Sequence, residues 1–346
     1  MNRVTIIGLF ASNEDVYDGQ TIKTRIVAQE IEKKIGKDEV TRIDTFGWKK
    51  NPFKLFFNSI KAVWESKNVI FMTDQGGIKV FPWLLVCANC FFNRKLHYVV
   101  VGGWLVHFLK KHHIITFFLK QFDSILVETS LMKSGLEKLG FRNVSLMQNF
   151  KNLEPLSEEQ LVYIDNEPYR FCTFSRIIKE KGIEEAANAI KSVNNQYGKI
   201  VCKLDIYGAI DPVYNDWFKR VSSEFSPEVR YCGVVAFDKS IDTIKDYFAL
   251  LFPTYYPSEG IPGTIIDAYA SGVPVIASKW CGFVDMVDEG YTGFGYEYLH
   301  HEYLEKTIKE AIQNPEKMME MKKHCLKKAN QYLPENAIGV LLDKLS

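Results

Sequence analysis

The chain has 346 residues, of which 47% are hydrophobic and 25% are charged, and its formal net charge is +1. This is an ordinary soluble globular composition. We find no apolar run long enough to span a bilayer and no signal peptide, so we expect a cytoplasmic protein without membrane spans.

Charge is distributed unevenly along the sequence. Residues 1–155 carry 22 Lys and Arg against 14 Asp and Glu, a balance of +8, and the remainder carries 21 against 28, a balance of −7. A basic first half predicts contact with an anionic partner such as phospholipid or a lipid phosphate. Nucleic acid is not expected, because the basic excess is scattered and forms no arm or tail.

The seven cysteines are odd in number and lie in apolar settings, which indicates reduced thiols. Cys87 and Cys90 have the spacing of a redox motif, but they lie within an apolar run. We therefore expect both in a core helix, and no second pair completes a zinc site.

Apolar strand-like runs alternate with longer helix-like segments. The predicted strands are residues 3–10, 40–46, 68–73, 96–101, 124–128, 144–147, 170–175, 203–207, 229–232, 249–253 and 274–277. The predicted helices include residues 21–34, 52–66 and 131–139. This alternation is typical of parallel sheets with crossover helices, and the length predicts two doubly wound domains in tandem.

We place an N-terminal Rossmann-like domain at residues 1–155 and a C-terminal Rossmann-like domain at residues 156–333. A closing helix over residues 334–346 could pack back on the first domain. The polar stretch 151–168 is the expected linker.

The segment 257–278 carries the strongest chemical signal. Glu259 precedes a helix that opens on Gly263 and Thr264, and Asp267 lies on the same helix face as these two residues. A helix start presents unpaired N–H groups and a partial positive charge, which suits phosphate. One carboxylate would suit a sugar ring, the other a ribose, and the amides of the helix start a diphosphate.

Other candidates also follow predicted strands, where open α/β sheets bind ligands. Arg176 and Lys181 could neutralise a diphosphate, although a solvated turn is the alternative. Gly19 opens the first helix, and His107 follows Gly102-Gly103 and could act as a base or hold a sugar hydroxyl. The alternative is a structural role, which is the common one for a histidine. No Asp-x-Asp motif exists, so no metal–diphosphate site is expected.

Residues 48–57 and 108–120 combine lysines with aromatic side chains. A basic helix with an aromatic face suits an anionic membrane surface. A core helix with solvated lysines explains the pattern equally well.

Six segments together resemble the retaining family-4 glycosyltransferases of the GT-B fold, in the family's order. They are residues 124–140, 146–150, 174–182, 205–208, 231–235 and the Glu-x7-Asp spacing of 259–267. The resemblance implies two Rossmann-like domains facing across a cleft. It also implies a nucleotide-sugar substrate, with a UDP-sugar favoured, and no metal or resident cofactor.

Carried over by position, the resemblance implies roles for individual residues. Glu259 would contact the donor sugar, Arg176 and Lys181 the diphosphate, and Asp267 the ribose. The amides of Gly263, Thr264 and Ile265 would hold phosphate, and main-chain groups near Gly208 and Val234 would lie beside the nucleotide. The chain departs from the family in two ways: Asp267 replaces a glutamate, and Gly102-Gly103 replaces a histidine.

The sequence thus predicts sugar transfer to a glycan or lipid-linked glycan, as in capsule, O-antigen or exopolysaccharide assembly, with peripheral contact at the inner face of the plasma membrane. Two alternatives remain open. One is a nucleotide-sugar epimerase of the same fold, and the other is a non-catalytic sugar-nucleotide-binding partner.

Overall fold

The computed structural model describes residues 2–12, 19–164 and 166–345. The chain divides into two compact units. Unit 1 comprises Met1–Asn152 with Leu333–Ser346, and unit 2 comprises Leu153–Tyr332. Within the described residues, no helix combines the length and apolarity that crossing a bilayer requires.

Twelve β-strands are present in the described residues. They are β1 Asn2–Gly8, β2 Val40–Asp44, β3 Ser66–Met72, β4 Lys95–Val99, β5 Ser124–Val127, β6 Val144–Leu146, β7 Tyr169–Phe174, β8 Cys202–Tyr207, β9 Val229–Gly233, β10 Ala249–Phe252, β11 Val275–Ser278 and β12 Gly293–Tyr296. Eleven of them coincide with predicted strands. β12 was not predicted, because two glycines in its four residues weaken the strand pattern.

The helices connect these strands and cover the sheets. They are α1 Gly19–Ile35, α2 Pro52–Glu65, α3 Phe81–Asn89, α4 Leu105–Lys110, α5 His113–Leu119, α6 Ser130–Lys138, α7 Ile183–Tyr197, α8 Asn215–Ser223, α9 Ser240–Ile244, α10 Gly263–Ala270, α11 Phe283–Met286, α12 Glu302–Gln313, α13 Pro315–Ala329, α14 Pro334–Ala337 and α15 Gly339–Leu342.

Each unit contains one six-stranded parallel sheet. The strand order is β2-β1-β3-β4-β5-β6 in unit 1 and β12-β11-β10-β7-β8-β9 in unit 2. In β3, Val69 and Phe71 belong to one apolar cluster, whereas Ile70 and Met72 belong to another. Alternating residues thus face opposite sides of the sheet, and both faces are buried, as parallel sheets require.

Cys87 and Cys90 do not lie in the core. Helix α3 buries Phe81, Leu84 and Leu85, but both thiols are exposed. The prediction that they occupy a core helix was wrong, because an apolar sequence does not reveal which face of a helix another element covers.

A buried ion pair links α1 to the carboxyl end of β5 in unit 1. Lys23 Nζ lies 2.7 Å from Glu128 Oε1, and each side chain is only 2% exposed. The same ammonium donates a hydrogen bond to the Val100 carbonyl at 3.3 Å. Removing one partner would leave the other charge buried, so the pair fixes the position of α1 against the sheet.

A second buried acid joins three strands of unit 2. Asp205 accepts hydrogen bonds from Arg170 at 2.8 Å, from the Tyr247 hydroxyl at 2.6 Å and from Arg230. Burial favours the neutral acid, but these charge-assisted bonds outweigh it and lower the pKa of Asp205 to about 2. The carboxylate therefore stays charged and cross-links β7, β8 and β9.

Glycines at the two ends of α7 allow a matched stability test. Gly182 and Gly198 both have positive φ, +73° and +64°. A Cβ at Gly182 would lie 2.2 Å from the Pro253 carbonyl oxygen, whereas a Cβ at Gly198 would meet nothing within 4 Å. The left-handed conformation alone costs an alanine about 1 kcal/mol, and the steric clash adds about 2 kcal/mol.

We therefore expect Gly182→Ala to lower the free energy of unfolding by about 3 kcal/mol and Gly198→Ala by about 1 kcal/mol. Urea unfolding of the two variants measures the difference. Equal losses would show that Gly182 is not held against Pro253.

Candidate functional site

The topology of unit 2 selects one place on its sheet for a ligand. β7 pairs with β8 on one side and with β10 on the other, so the connections after β7 and β10 diverge. In open parallel sheets, ligands bind beyond the carboxyl ends of the strands at this switch point. The predicted residues 176, 181 and 259 all follow β7 or β10.

The loops after these two strands contact each other directly. The Tyr255 amide donates to the Glu180 carbonyl at 2.8 Å, and Gly182 packs against Pro253. The close approach at Gly182 needs a residue without a Cβ, which ties the glycine to the geometry of the site.

Lys181 and Glu259 form an ion pair at this junction. Lys181 Nζ donates to Glu259 Oε2, and the two side chains are 14% and 10% exposed. The Thr254 hydroxyl lies 3.1 Å from the same carboxylate oxygen, and the Tyr256 ring lies 5.5 Å from the ammonium. The two predicted charges thus neutralise each other in a nearly enclosed setting.

The main chain around Glu259 is anchored to the loop after β11. The Cys281 thiol donates to the Glu259 carbonyl at 3.0 Å, and the Trp280 indole N–H donates to the Gly260 carbonyl at 3.0 Å. Trp280 itself is 3% exposed. The loop that carries the carboxylate is therefore held by a rigid, buried side chain.

Arg176 is much less constrained than Lys181. Its side chain is 57% exposed, and its guanidinium lies 3.6 Å from the Asp211 carboxylate. Exposed pairs of this kind contribute little to stability. The guanidinium can therefore exchange Asp211 for an anionic ligand at small cost.

Helix α10 begins directly after the Glu259 loop. The Ile265 amide donates to the Pro262 carbonyl at 3.1 Å, so it already has an acceptor within the chain, and its contact with phosphate stays a prediction. Among the described residues, no acceptor pairs with the amides of Gly263 and Thr264 or with the enclosed Thr264 hydroxyl. The first turn therefore keeps unpaired donors beside the partial positive charge of the helix start.

The remaining predicted residues of unit 2 are more dispersed. Asp267 is buried, at 3% exposure, on α10, and Val234 is exposed just after β9. Gly208 follows β8, and a Cβ there would lie 1.8 Å from the Ser175 carbonyl oxygen. Gly208 thus brings the β8 turn against the main chain that leads to Arg176.

Gly19 and His107 lie in unit 1. Gly19 is the first residue of α1, and His107 is exposed on α4 after the Gly102-Gly103 turn. Neither belongs to the cluster of unit 2. Within residues 2–12, 19–164 and 166–345, no group of three or more His, Cys, Asp or Glu side chains is arranged to hold a metal ion.

Sequence reasoning missed Thr254, Asp211 and Glu180. Thr254 is the second residue after β10, so its position near a strand end was a usable signal. Asp211 and Glu180 carried no such signal, because their partners Arg176 and Tyr214 meet them only in the folded loops.

The ion pair predicts an uneven response to mutation. Lys181→Met leaves the Glu259 carboxylate enclosed without its cation, and we expect a loss of about 3 kcal/mol in unfolding free energy. The double variant Lys181→Met, Glu259→Met should lose less unfolding free energy than Lys181→Met alone.

Lys199→Met is the control, because Lys199 forms a surface pair with Glu167, and the two side chains are 61% and 38% exposed. That variant should lose under about 1 kcal/mol. Equal losses in both lysine variants, measured by urea unfolding, would contradict a buried pair.

Comparisons with known proteins place this site in context. Residues 158–328 match the family model described as glycosyl transferases group 1. This segment contains the ion pair, Arg176 and α10. No curated protein matches the sequence.

Solved structures share the architecture at low identity. Sucrose-phosphate synthase from Thermosynechococcus elongatus aligns with a TM-score of 0.74 and 16% identity over 100% of this chain and 98% of its own. HepE from Anabaena, in complex with UDP, aligns with a TM-score of 0.75 and 15% identity over 100% and 99%. TarM from S. aureus aligns with a TM-score of 0.65 and 14% identity over 84% of this chain, which spans 59% of the TarM chain.

These likenesses confirm the predicted α/β fold of the GT-B class. The chain therefore has the GT-B fold, and its residues 158–328 are similar to the glycosyl transferases group 1 family.

Proposed function

We propose that this protein transfers a sugar from a nucleotide-sugar, preferably a UDP-sugar, to a glycan or lipid-linked glycan with retention at the anomeric carbon. Residues 156–333 form the donor side and residues 1–155 the acceptor side. The biological setting is the assembly of a bacterial surface polysaccharide such as capsule, O-antigen or exopolysaccharide.

One observation carries the proposal. Lys181 and Glu259 meet at the switch point of unit 2, where the loop of Glu259 leads into the unpaired first-turn amides of α10, within a segment that matches a glycosyl transferase family. A sugar diphosphate needs anion-binding donors next to a group that holds hydroxyls, and this junction offers both.

Each residue would make a distinct contribution. Glu259 would accept hydrogen bonds from the donor sugar, and Arg176 would leave Asp211 to pair with the diphosphate. The Gly263 and Thr264 amides and Lys181 would stabilise the charge that grows on the departing oxygen. Glu259 neutralises Lys181 in the free protein. When sugar hydroxyls also donate hydrogen bonds to Glu259, the Lys181 ammonium would be freer to stabilise the negative charge on the leaving oxygen. Asp267 would hold the ribose.

The reaction exchanges two bonds at one carbon. The acceptor oxygen bonds to the anomeric carbon, the bond from that carbon to the diphosphate oxygen breaks, and the hydroxyl proton passes to the leaving diphosphate. His107 is the candidate in unit 1 for holding the acceptor hydroxyl. No metal is assigned a role.

The neighbours support UDP as the nucleotide. HepE was solved with UDP and with UDP-glucose, and the TarM complex contains UDP and α-GlcNAc-glycerol. Their low identity restricts this support to the donor class, so a thermal-shift panel of nucleoside diphosphates and their sugars should identify the donor.

Substitution of Glu259 and of Arg176 tests the proposal. We expect Glu259→Ala and Arg176→Ala each to lower turnover of the matched donor by about 100-fold or more, because each removes a charge that acts on the reacting sugar diphosphate. Release of nucleoside diphosphate measures turnover without knowledge of the acceptor.

Arg220→Ala is the matched control, since Arg220 is an exposed arginine on α8 of the same unit. It should keep normal turnover. Near-normal turnover in Glu259→Ala and Arg176→Ala would defeat the proposal. A new nucleotide-sugar formed from donor alone would identify an epimerase, and donor binding without turnover across many acceptors would identify a non-catalytic binder.

We also propose that unit 1 contacts the inner face of the plasma membrane through segments 48–57 and 108–120. The exposed fractions are 78% for Phe53, 66% for Phe57, 75% for Ile114 and 62% for Phe117. Core helices with solvated lysines would bury these side chains, so their exposure favours membrane contact over that alternative.

Vesicle flotation tests this contact. We expect the protein to float with anionic vesicles at low salt and to float less at high salt, because ions screen the attraction of lysines to the surface. Phe53→Ser with Phe117→Ser should reduce flotation, whereas Val213→Ser, at an exposed valine of unit 2, should not. Absence of the wild-type protein from the floating fraction would remove the membrane contact.

A further inference from the structure

Unit 1 contains an apolar cavity between α2 and α3, and part of its lining belongs to segment 48–57. Its volume is about 380 Å³, and apolar side chains line it, including Phe53, Phe56, Phe57, Val80 and Leu84. We call it the apolar groove. Its volume falls in the range of cavities that bind small ligands, about 300–1,000 Å³. Among the side chains of the described residues that line it, only the indole of Trp48 can form a hydrogen bond and none is charged, so the lining selects hydrocarbon.

A polar cavity of about 320 Å³ adjoins the apolar groove. The two share Trp48 and Leu55, and the polar cavity is also lined by Asn51, Lys54 and Asn58. A ligand that occupies both must be apolar over one part and polar over the other. Such a ligand is an amphiphile.

The charges at the polar cavity indicate the head group. Arg42 also lines it, but its guanidinium is paired with Glu32 through two contacts of 2.7 Å. Asp44 is engaged with the amides of Phe10 and Phe46 at 3.0 and 2.9 Å. Partial burial favours the neutral acid, but these and further amide bonds lower the pKa of Asp44, so it remains a carboxylate.

Lys54 is the cation that remains. Its side chain is exposed and forms no ion pair with any residue in the part of the chain that the structure describes. Residues 46–64 around both cavities carry four lysines and no aspartate or glutamate. The polar cavity also has one carboxylate, Asp44, and the mutually neutral pair Arg42–Glu32. Four lysines against one carboxylate leave a positive local charge, which complements an anionic head group and repels a cationic one.

We propose that the apolar groove binds one hydrocarbon chain of a phosphate-bearing membrane lipid, with its phosphate at Lys54 in the polar cavity. This inference rests on the proposed membrane contact and deepens it. Adsorption through exposed aromatic side chains needs no particular lipid molecule. The apolar groove, in contrast, would bind one hydrocarbon chain of a single lipid. A hydrocarbon chain combined with a basic patch is the pair of signals that gives stable peripheral attachment.

Trp48 provides the readout, because it lines both cavities. We expect its fluorescence to fall when the full chain binds phosphatidylglycerol vesicles whose acyl chains carry bromine, compared with the same vesicles without bromine. Trp48→Phe gives the background from the other five tryptophans. At least half of the Trp48 emission should be quenched.

Two variants separate the groove from the surface. Val80→Phe fills the groove and should reduce the quenching of Trp48 by more than half, while cosedimentation with anionic vesicles falls less than twofold. Lys54→Glu should weaken cosedimentation several-fold, and Lys219→Glu, an exposed lysine of unit 2, should not. Circular dichroism checks that each variant is folded.

Equal Trp48 emission with brominated and unbrominated vesicles would overturn the proposal. Equal quenching of Trp48 in Val80→Phe and in the wild-type protein would also overturn it. So would sedimentation of the protein as a dimer in the presence of lipid, because a second copy would then be the occupant of the apolar groove. The donor assay is independent, because loss of turnover in Glu259→Ala does not involve lipid. Quenching with normal Glu259→Ala turnover would therefore reject the proposed transferase and keep the lipid groove.

Discussion

The arrangement of unit 2 depends on the contact between Lys181 and Glu259. Two charged side chains that are nearly enclosed are stable only together, because either one alone would lose its hydration without compensation. Their meeting requires the loops after β7 and β10 to touch, which in turn requires Gly182 to lie against Pro253. The ion pair, the close approach and the helix start of α10 are thus parts of one junction.

This junction also distinguishes two kinds of cation. Lys181 is already compensated by Glu259, whereas the exposed Arg176 is held only by a surface pair with Asp211. Under the proposed function, a diphosphate would pair with the exposed guanidinium of Arg176, while the enclosed ion pair stays intact in the free protein.

Unit 1 has a different physical character. Its basic segments carry exposed aromatic side chains, and an apolar cavity opens between two of its helices. A group of large exposed apolar side chains is typical of an interaction surface, and lysines around it favour an anionic partner. The charge asymmetry between the halves of the sequence is thus consistent with the two proposed binding roles, membrane contact in unit 1 and donor binding in unit 2.

Much of the fold followed from the sequence, because strand and helix periodicity are local properties. Eleven of the twelve strands in the described part of the chain were predicted, and the GT-B class was predicted from six ordered motifs and is confirmed. Strand β12 was not predicted, because its glycines weaken the strand pattern. The prediction that Cys87 and Cys90 are buried was wrong, because both thiols face outward. For the candidate site, the sequence predicted Glu259, Lys181 and Arg176 as charges after strands, but not that Lys181 pairs with Glu259 or that Arg176 pairs with Asp211.

The sequence by itself determined the alternation of strands and helices, the unequal charge of the two halves and the residue types that follow each strand. Only the tertiary structure decided that β10 lies beside β7, and hence that Lys181 meets Glu259 while Arg176 meets Asp211. The tertiary structure also decided that the Ile265 amide donates a hydrogen bond to the Pro262 carbonyl and that Phe53 and Phe57 are exposed. Strand neighbours and covered helix faces depend on contacts between distant residues, and local patterns do not encode which distant residue will meet which.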